Sequence, residues 1–196
     1  MNYLAHFHLA AGDDELIQGA LLGDFVKGHL RGEYPPGIER GIALHRSIDA
    51  LSNADGELAV LRTELPDHLR RYSGIITDVA FDFYLSRHWL DFHSDSLEHF
   101  AQTVYAVLAR NQHAYPANAR AFCQRLIDHD LLTQYGQWEA VDRVLTSIGW
   151  RLARDNPLRA GAEPIEHRRA QLRKAFLNFY PRAQRHVDAF LAANPA

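Results

Sequence analysis

The apolar residues of this chain recur at helical spacing almost from end to end, and long, strictly alternating segments are missing. A half-buried β-strand needs period-two alternation, so the pattern points to an all-α, single compact helical domain covering residues 1–196. Gly and Pro fall in short clusters that punctuate about seven to eight helices. The first spans 14–28, capped by Asp13 or Asp14, with Ile17, Leu21, Leu22 and Phe25 inward. GHLRGEYPPG follows as a loop, and Pro35 and Pro36 lead into a helix over 37–52. A third begins before Arg62, and a long one covers 67–92 with a kink near Ser73 and Gly74. Further helices fit 95–113, 116–131, 137–154 and 164–192, while residues 2–10 read as a short helix or an extended segment.

Composition excludes several function classes. Lys plus Arg is 21 against 24 Asp plus Glu, a balance that gains nothing from general nucleic-acid binding. Nineteen of those cations are arginines, Lys27 and Lys174 being the exceptions. The single cysteine, Cys123, rules out an intrachain disulfide and a cysteine-based zinc site, and its phase with Leu126 and Ile127 places it in the core. No apolar run reaches the ~18 residues of a membrane helix. The start, MNYLAHFHLAAGDDE, lacks the basic region of a signal peptide, so a soluble cytoplasmic protein is expected, with no nucleic-acid or membrane partner.

The informative residues are the acids and histidines in phase with the core, because an unpaired buried carboxylate is costly without a compensating cation. In the 37–52 helix, Ile38, Ile42, His45, Ile48 and Asp49 follow one face. In the long helix, Asp78 and Asp82 are stacked one turn apart among Ile75, Val79, Leu85 and Trp89. Asp24 ends an apolar run, and His6 and His8 alternate with Leu4, Phe7 and Leu9. Imidazole plus carboxylate without thiolate suits Mn, Fe, Zn or Mg, with Mn or Fe favoured. Taken singly, a histidine on an apolar face is more often a hydrogen-bonded core residue than a ligand, and Asp49 can serve Arg46 or cap a helix. No E-x-x-H, H-E-x-x-H, P-loop, G-x-G-x-x-G or G-x-S-x-G occurs, which disfavours di-iron, zincin, nucleotide-binding and serine-hydrolase readings.

The stretches NYLAHFHLA (2–10), GALLGDFVKG (19–28), GIALHRSID (41–49) and RRYSGIITDVAFDFYLSRHW (70–89), with FYPR (179–182), resemble the acyl carrier protein phosphodiesterase family. The family is similar to a divergent HD-domain phosphohydrolase. One departure is Phe83, where many members carry a histidine. The resemblance implies metal-dependent hydrolysis of the phosphodiester joining 4′-phosphopantetheine to a serine of holo-acyl carrier protein, releasing apo-carrier protein and 4′-phosphopantetheine. The metal implied is divalent, Mn2+ first, with Mg2+, Fe2+ or Co2+ also compatible. Carried over by position, Asp24, His45 and Asp78 are the first choices as ligands. His6 is a further ligand or a phosphate-binding group. Asp49 and Asp82 are weaker ligand choices, and either is placed to orient or deprotonate the attacking water. Arg46 and Lys27 are placed to stabilise charge on the phosphoryl oxygens. An acidic carrier protein calls for a cationic patch, expected at Arg62, Arg70, Arg71 and Arg87, with Arg31 and Lys27 nearby. Two other readings stay open: an HD-type phosphohydrolase of a small nucleotide or other phosphate ester, and a non-enzymatic helical binding protein.

Overall fold

In a computed structural model that describes residues 2–195, every regular element is helical: ten α-helices and five 3-10 segments among the described residues, with no strand. α1 (Tyr3–Leu9) is buried along almost its whole length, from Leu4 to Leu9. A helix buried this early must satisfy its first amides from elsewhere in the chain. Leu4 and Ala5 donate theirs to the two oxygens of Asp82, at 2.9 and 3.0 Å.

α2 (Asp14–Leu22) is capped by Asp13, whose Oδ1 accepts from Glu15 at 2.8 Å and Leu16 at 3.1 Å. α3 (Pro36–Ala54) starts on a proline, whose missing amide costs nothing at a helix N-terminus. These two helices form the closest pair in the fold. Gly19 and Gly41 face each other across the crossing, and a Cβ on Gly41 would stand 2.8 Å from the Leu16 carbonyl. The absence of side chains there lets the backbones touch, and that contact brings the end of α2 within reach of α3's side chains.

α4 (Gly56–Thr63) is capped by Asp55, which also pairs with Arg182 at 2.7 Å. The expected long helix divides. A 3-10 segment (Asp67–Tyr72) leads into α5 (Ser73–Arg87), and α6 (Trp89–Phe92) follows after His88. The break near Ser73 falls where the sequence placed a kink. α5 is the central helix, buried on nearly all sides by α1, α9 (Trp138–Arg151) and α10 (Arg169–Ala193). α7 (Leu97–Asn111) and α8 (Ala117–Asp128) complete the helices around one continuous core. α10 carries Pro181 within it, so the bond its amide would make is missing there. No helix among the described residues is long and apolar enough to cross a membrane.

Candidate metal centre

His45 lies on the inward face of α3 and is 3% exposed. Its Nδ1 lies 2.8 Å from the Ala20 carbonyl of α2. A carbonyl only accepts, so Nδ1 carries the proton and Nε2 is left as the outward-facing nitrogen. That Nε2 is 3.6 Å from Asp24 Oδ1 and 3.4 Å from Asp49 Oδ2. Asp24 follows α2 directly, in the turn 23–25, and Asp49 lies one turn beyond His45 on α3. Gly23 makes the arrangement possible, since a Cβ there would collide with the His45 ring. From α1, His6 stacks on His45 with ring centroids 3.8 Å apart and planes 10° apart. Its Nε2 is 3.2 Å from the other oxygen of Asp49. One ligand atom from each of His6, His45 and Asp49 lies within 4.8 Å of the others.

The electrostatics separate the two histidines. Burial holds His6 neutral, and the neighbouring His45 adds to the effect, lowering its pKa to about 3 despite Asp49. Burial also opposes charge on His45, but hydrogen bonds and charge from Asp24 and Asp49 prevail and lift it to about 9. Burial likewise works against both carboxylates. For Asp49 the hydrogen bonds from His45 and then His6 outweigh it; for Asp24 the His45 bond and charge do so, with Tyr3 assisting. The centre is thus built to hold two carboxylates against a positive charge. With its Nε2 directed at Asp49, His6 Nδ1 is buried with no hydrogen-bond partner among the described residues. Two imidazoles, one with its Nδ1 proton held by the Ala20 carbonyl, and two adjacent carboxylates fit a divalent ion of the Mn, Fe or Zn type. An open cavity of about 460 Å³ leads to the group, lined by Asp24, Lys27, His45, Arg46, Asp49 and Asn53 among others. Asp24 and Asp49 are about half exposed within it, His45 lines it, and the buried His6 stacks on the His45 ring.

The other expected site residues are dispersed. Asp82 is wholly buried, and both oxygens accept from α1's amides, so it anchors that helix's N-terminus. Asp78, one turn earlier and half-buried, adds its charge to Asp82's surroundings but does not belong to the three-residue group. His8 is a hydrogen-bonded core residue: it lies 3.2 Å from the Phe92 carbonyl and 2.8 Å from the Tyr180 hydroxyl. Arg46 lines the cavity, but its guanidinium is spent on the Val26 and Gly28 carbonyls at 2.7 and 2.8 Å, so it holds the loop after Asp24 in place. Lys27 is exposed in the same cavity. Phe83 packs edge-on against Trp138 in the core.

The four arginines expected as one patch are spread along the fold. Arg62 reaches Ser52, one turn beyond Asp49, at 3.3 Å. Arg70 pairs with Asp67 at 2.8 Å, beside the exposed Arg71. Arg87 lies at the opposite end of α5, about four helical turns away. Two contributors escaped the reading of the sequence. Gly23 was visible only as the residue before Asp24. Tyr3, whose hydroxyl supports Asp24, stands three residues before His6, the spacing that puts both on one side of α1.

The family model described as acyl carrier protein phosphodiesterase matches residues 1–183. Proteins named acyl carrier protein phosphodiesterase are similar over nearly the full length. That of Pectobacterium atrosepticum is 33% identical over 183 residues, covering 93% of this chain and 95% of the relative. That of Yersinia pestis is 33% identical over 189 residues, covering 96% and 98%. That of Klebsiella pneumoniae is 32% identical over 189 residues, with the same coverage. No solved structure matches.

Proposed function

The chain belongs to the acyl carrier protein phosphodiesterase family and is an enzyme, and from that premise we propose that it hydrolyses the phosphodiester between 4′-phosphopantetheine and a serine of acyl carrier protein. The products are apo-carrier protein with its serine free, and 4′-phosphopantetheine. The observation that carries the reading to a mechanism is the convergence of His6, His45 and Asp49, with Asp24 beside them, at an open cavity lined by His45 and both carboxylates.

His6, His45 and Asp49 would hold a divalent ion, Mn2+ by preference. Such an ion supplies neutralisation of the phosphodiester anion and activation of water near neutral pH. The chain's own groups do the rest. The Ala20 carbonyl fixes which nitrogen His45 presents. Asp24 is half exposed, faces the cavity and is kept ionised, so it is placed to accept the proton of the attacking water. Lys27 offers the mobile cation at the cavity wall for a phosphoryl oxygen, while Arg46 fixes the backbone that carries both.

The test is an intact-mass measurement on holo-acyl carrier protein incubated with the protein, with Mn2+ or with EDTA. Loss of the phosphopantetheine mass only with Mn2+ is the expected result. Retention of that mass with a folded, metal-loaded protein overturns the assignment of substrate. A folded protein that takes up no metal overturns the metal-dependent mechanism.

A further inference from the structure

A second cavity, about 770 Å³ and half enclosed, lies between α8, α9 and the segment joining them. It meets the first at one residue, because Asp24 lines both. Its walls beyond that point are mostly apolar, with Phe25, Phe122, Leu131, Val144 and Ile148 among them. The Tyr3 and Phe122 rings lie 4.4 Å apart, tilted by 31°, and Phe25 joins them at 5.8 Å from Phe122, so an aromatic cluster stands beside Asp24 in this lining. A phosphate group needs none of this volume, and water alone does not call for such walls. Polar side chains interrupt these walls: Tyr135, whose hydroxyl accepts from Asn2 at 2.6 Å, lies in the lining with Asn118, Gln134 and Ser147, and Arg125, Arg143 and Arg151 are exposed along it.

Resting on the function proposed above, we infer that this second cavity receives the pantetheine arm of the substrate while its phosphate sits over His6, His45 and Asp49. The arm is a narrow, uncharged chain with a branched dimethyl segment, two amides and a terminal thiol. Apolar walls interrupted by hydrogen-bonding side chains match that chemistry, and the wall shared at Asp24 puts the start of the arm next to the centre where its phosphate is cut. The volume lies within the ~300–1,000 Å³ of small-molecule sites.

The probe is pantetheine itself, without phosphate, titrated calorimetrically into the Mn2+-treated protein. Two variants narrow the cavity from opposite walls, Val144→Trp on α9 and Ala121→Trp on α8; Ala121 is exposed, so its replacement leaves the core untouched. Pantetheine binding by the wild type, weakened at least about tenfold in a variant whose circular dichroism is unchanged, is the expected result. Absence of binding by the wild type, or binding equally tight in the folded variants, overturns the inference. Hydrolysis is scored separately. A protein that binds pantetheine here yet leaves the carrier protein intact refutes the function and keeps the cavity assignment. A protein that cleaves the carrier protein but ignores pantetheine does the reverse.

Discussion

The room that His45 occupies is made by a missing side chain. Any Cβ at position 23 meets its ring, so Gly23→Ala must push the imidazole off its line to Asp24 and Asp49. A misplacement near 1 Å in a reacting site costs on the order of 100-fold in rate. We expect Gly23→Ala to lose activity on that scale, at roughly 1–3 kcal/mol of stability. Assays on carrier protein, with thermal melts alongside, check it; an active Gly23→Ala protein would show that His45 is not held where it works. Asp49→Asn weakens the one carboxylate that touches both imidazoles. It should lower retained Mn2+ after dialysis well below one ion per chain, measured by elemental analysis, with the protein still folded. At this scale the sequence was informative where phase and chemistry coincided. His45 and Asp49 fell on one face of one helix, and they meet. His8 and Asp82 had the same phase, but each had partners no spacing could reveal: Tyr180 lies 172 positions from His8, and Leu4 lies 78 from Asp82.

At the scale of elements, α5 explains why its two aspartates were hard to place. A helix buried on nearly every side has no polar face to contrast with an apolar one, so periodicity says little about direction. Asp82 is spent on α1, and α1 carries His6. Asp82→Ala should therefore cost about 2–4 kcal/mol, because two buried amides lose their acceptor. Asp82→Asn, which keeps one acceptor, should cost less and retain activity in its folded fraction. Chemical denaturation paired with activity per folded molecule decides this; a stable but inactive Asp82→Asn would mark it as a base. The boundary of α2 was overestimated for a related reason. The helix ends at Leu22, but Phe25 and Val26 still donate to the Leu22 carbonyl at 2.9 and 2.8 Å, so the apolar pattern runs on through a turn. α4 and α10 are joined by Asp55 and Arg182. Burial raises the Asp55 pKa, but the Leu58 amide and then Arg182 outweigh it and hold the carboxyl below its ordinary value. A depressed native pKa stabilises the fold above the unfolded value near ~4 and is lost as pH falls through the native one. Asp55→Asn should lower stability at pH 7 by about 1 kcal/mol and flatten the acid limb of the stability curve, as urea melts between pH 7 and pH 3 would show.

Across the whole molecule, charge and shape point to the same face. The expected docking patch along the 67–72 segment and α5 is broken by Arg70's own partner, Asp67, and by the length of α5 between it and Arg87. The all-α class was legible because helical period is local. Which arginines share a face was less legible, because a surface is assembled from residues that only the packing of helices brings together. Three arginines that sequence order left apart, Arg125 on α8 and Arg143 and Arg151 on α9, remain exposed while lining the second cavity. An acidic carrier protein whose arm enters there would set its surface against them. Charges at the rim of an interface act mainly on encounter, so they move the salt dependence and KM more than kcat. Arg125→Glu with Arg143→Glu should raise KM for carrier protein by about tenfold and flatten its salt dependence, with kcat nearly kept. Arg70→Glu with Arg71→Glu should change neither by more than about twofold. Steady-state assays from low to high ionic strength compare the two pairs directly. The opposite ranking would put the carrier protein over the 67–72 segment, and the arm would then have to reach Asp24 from the side of the smaller cavity.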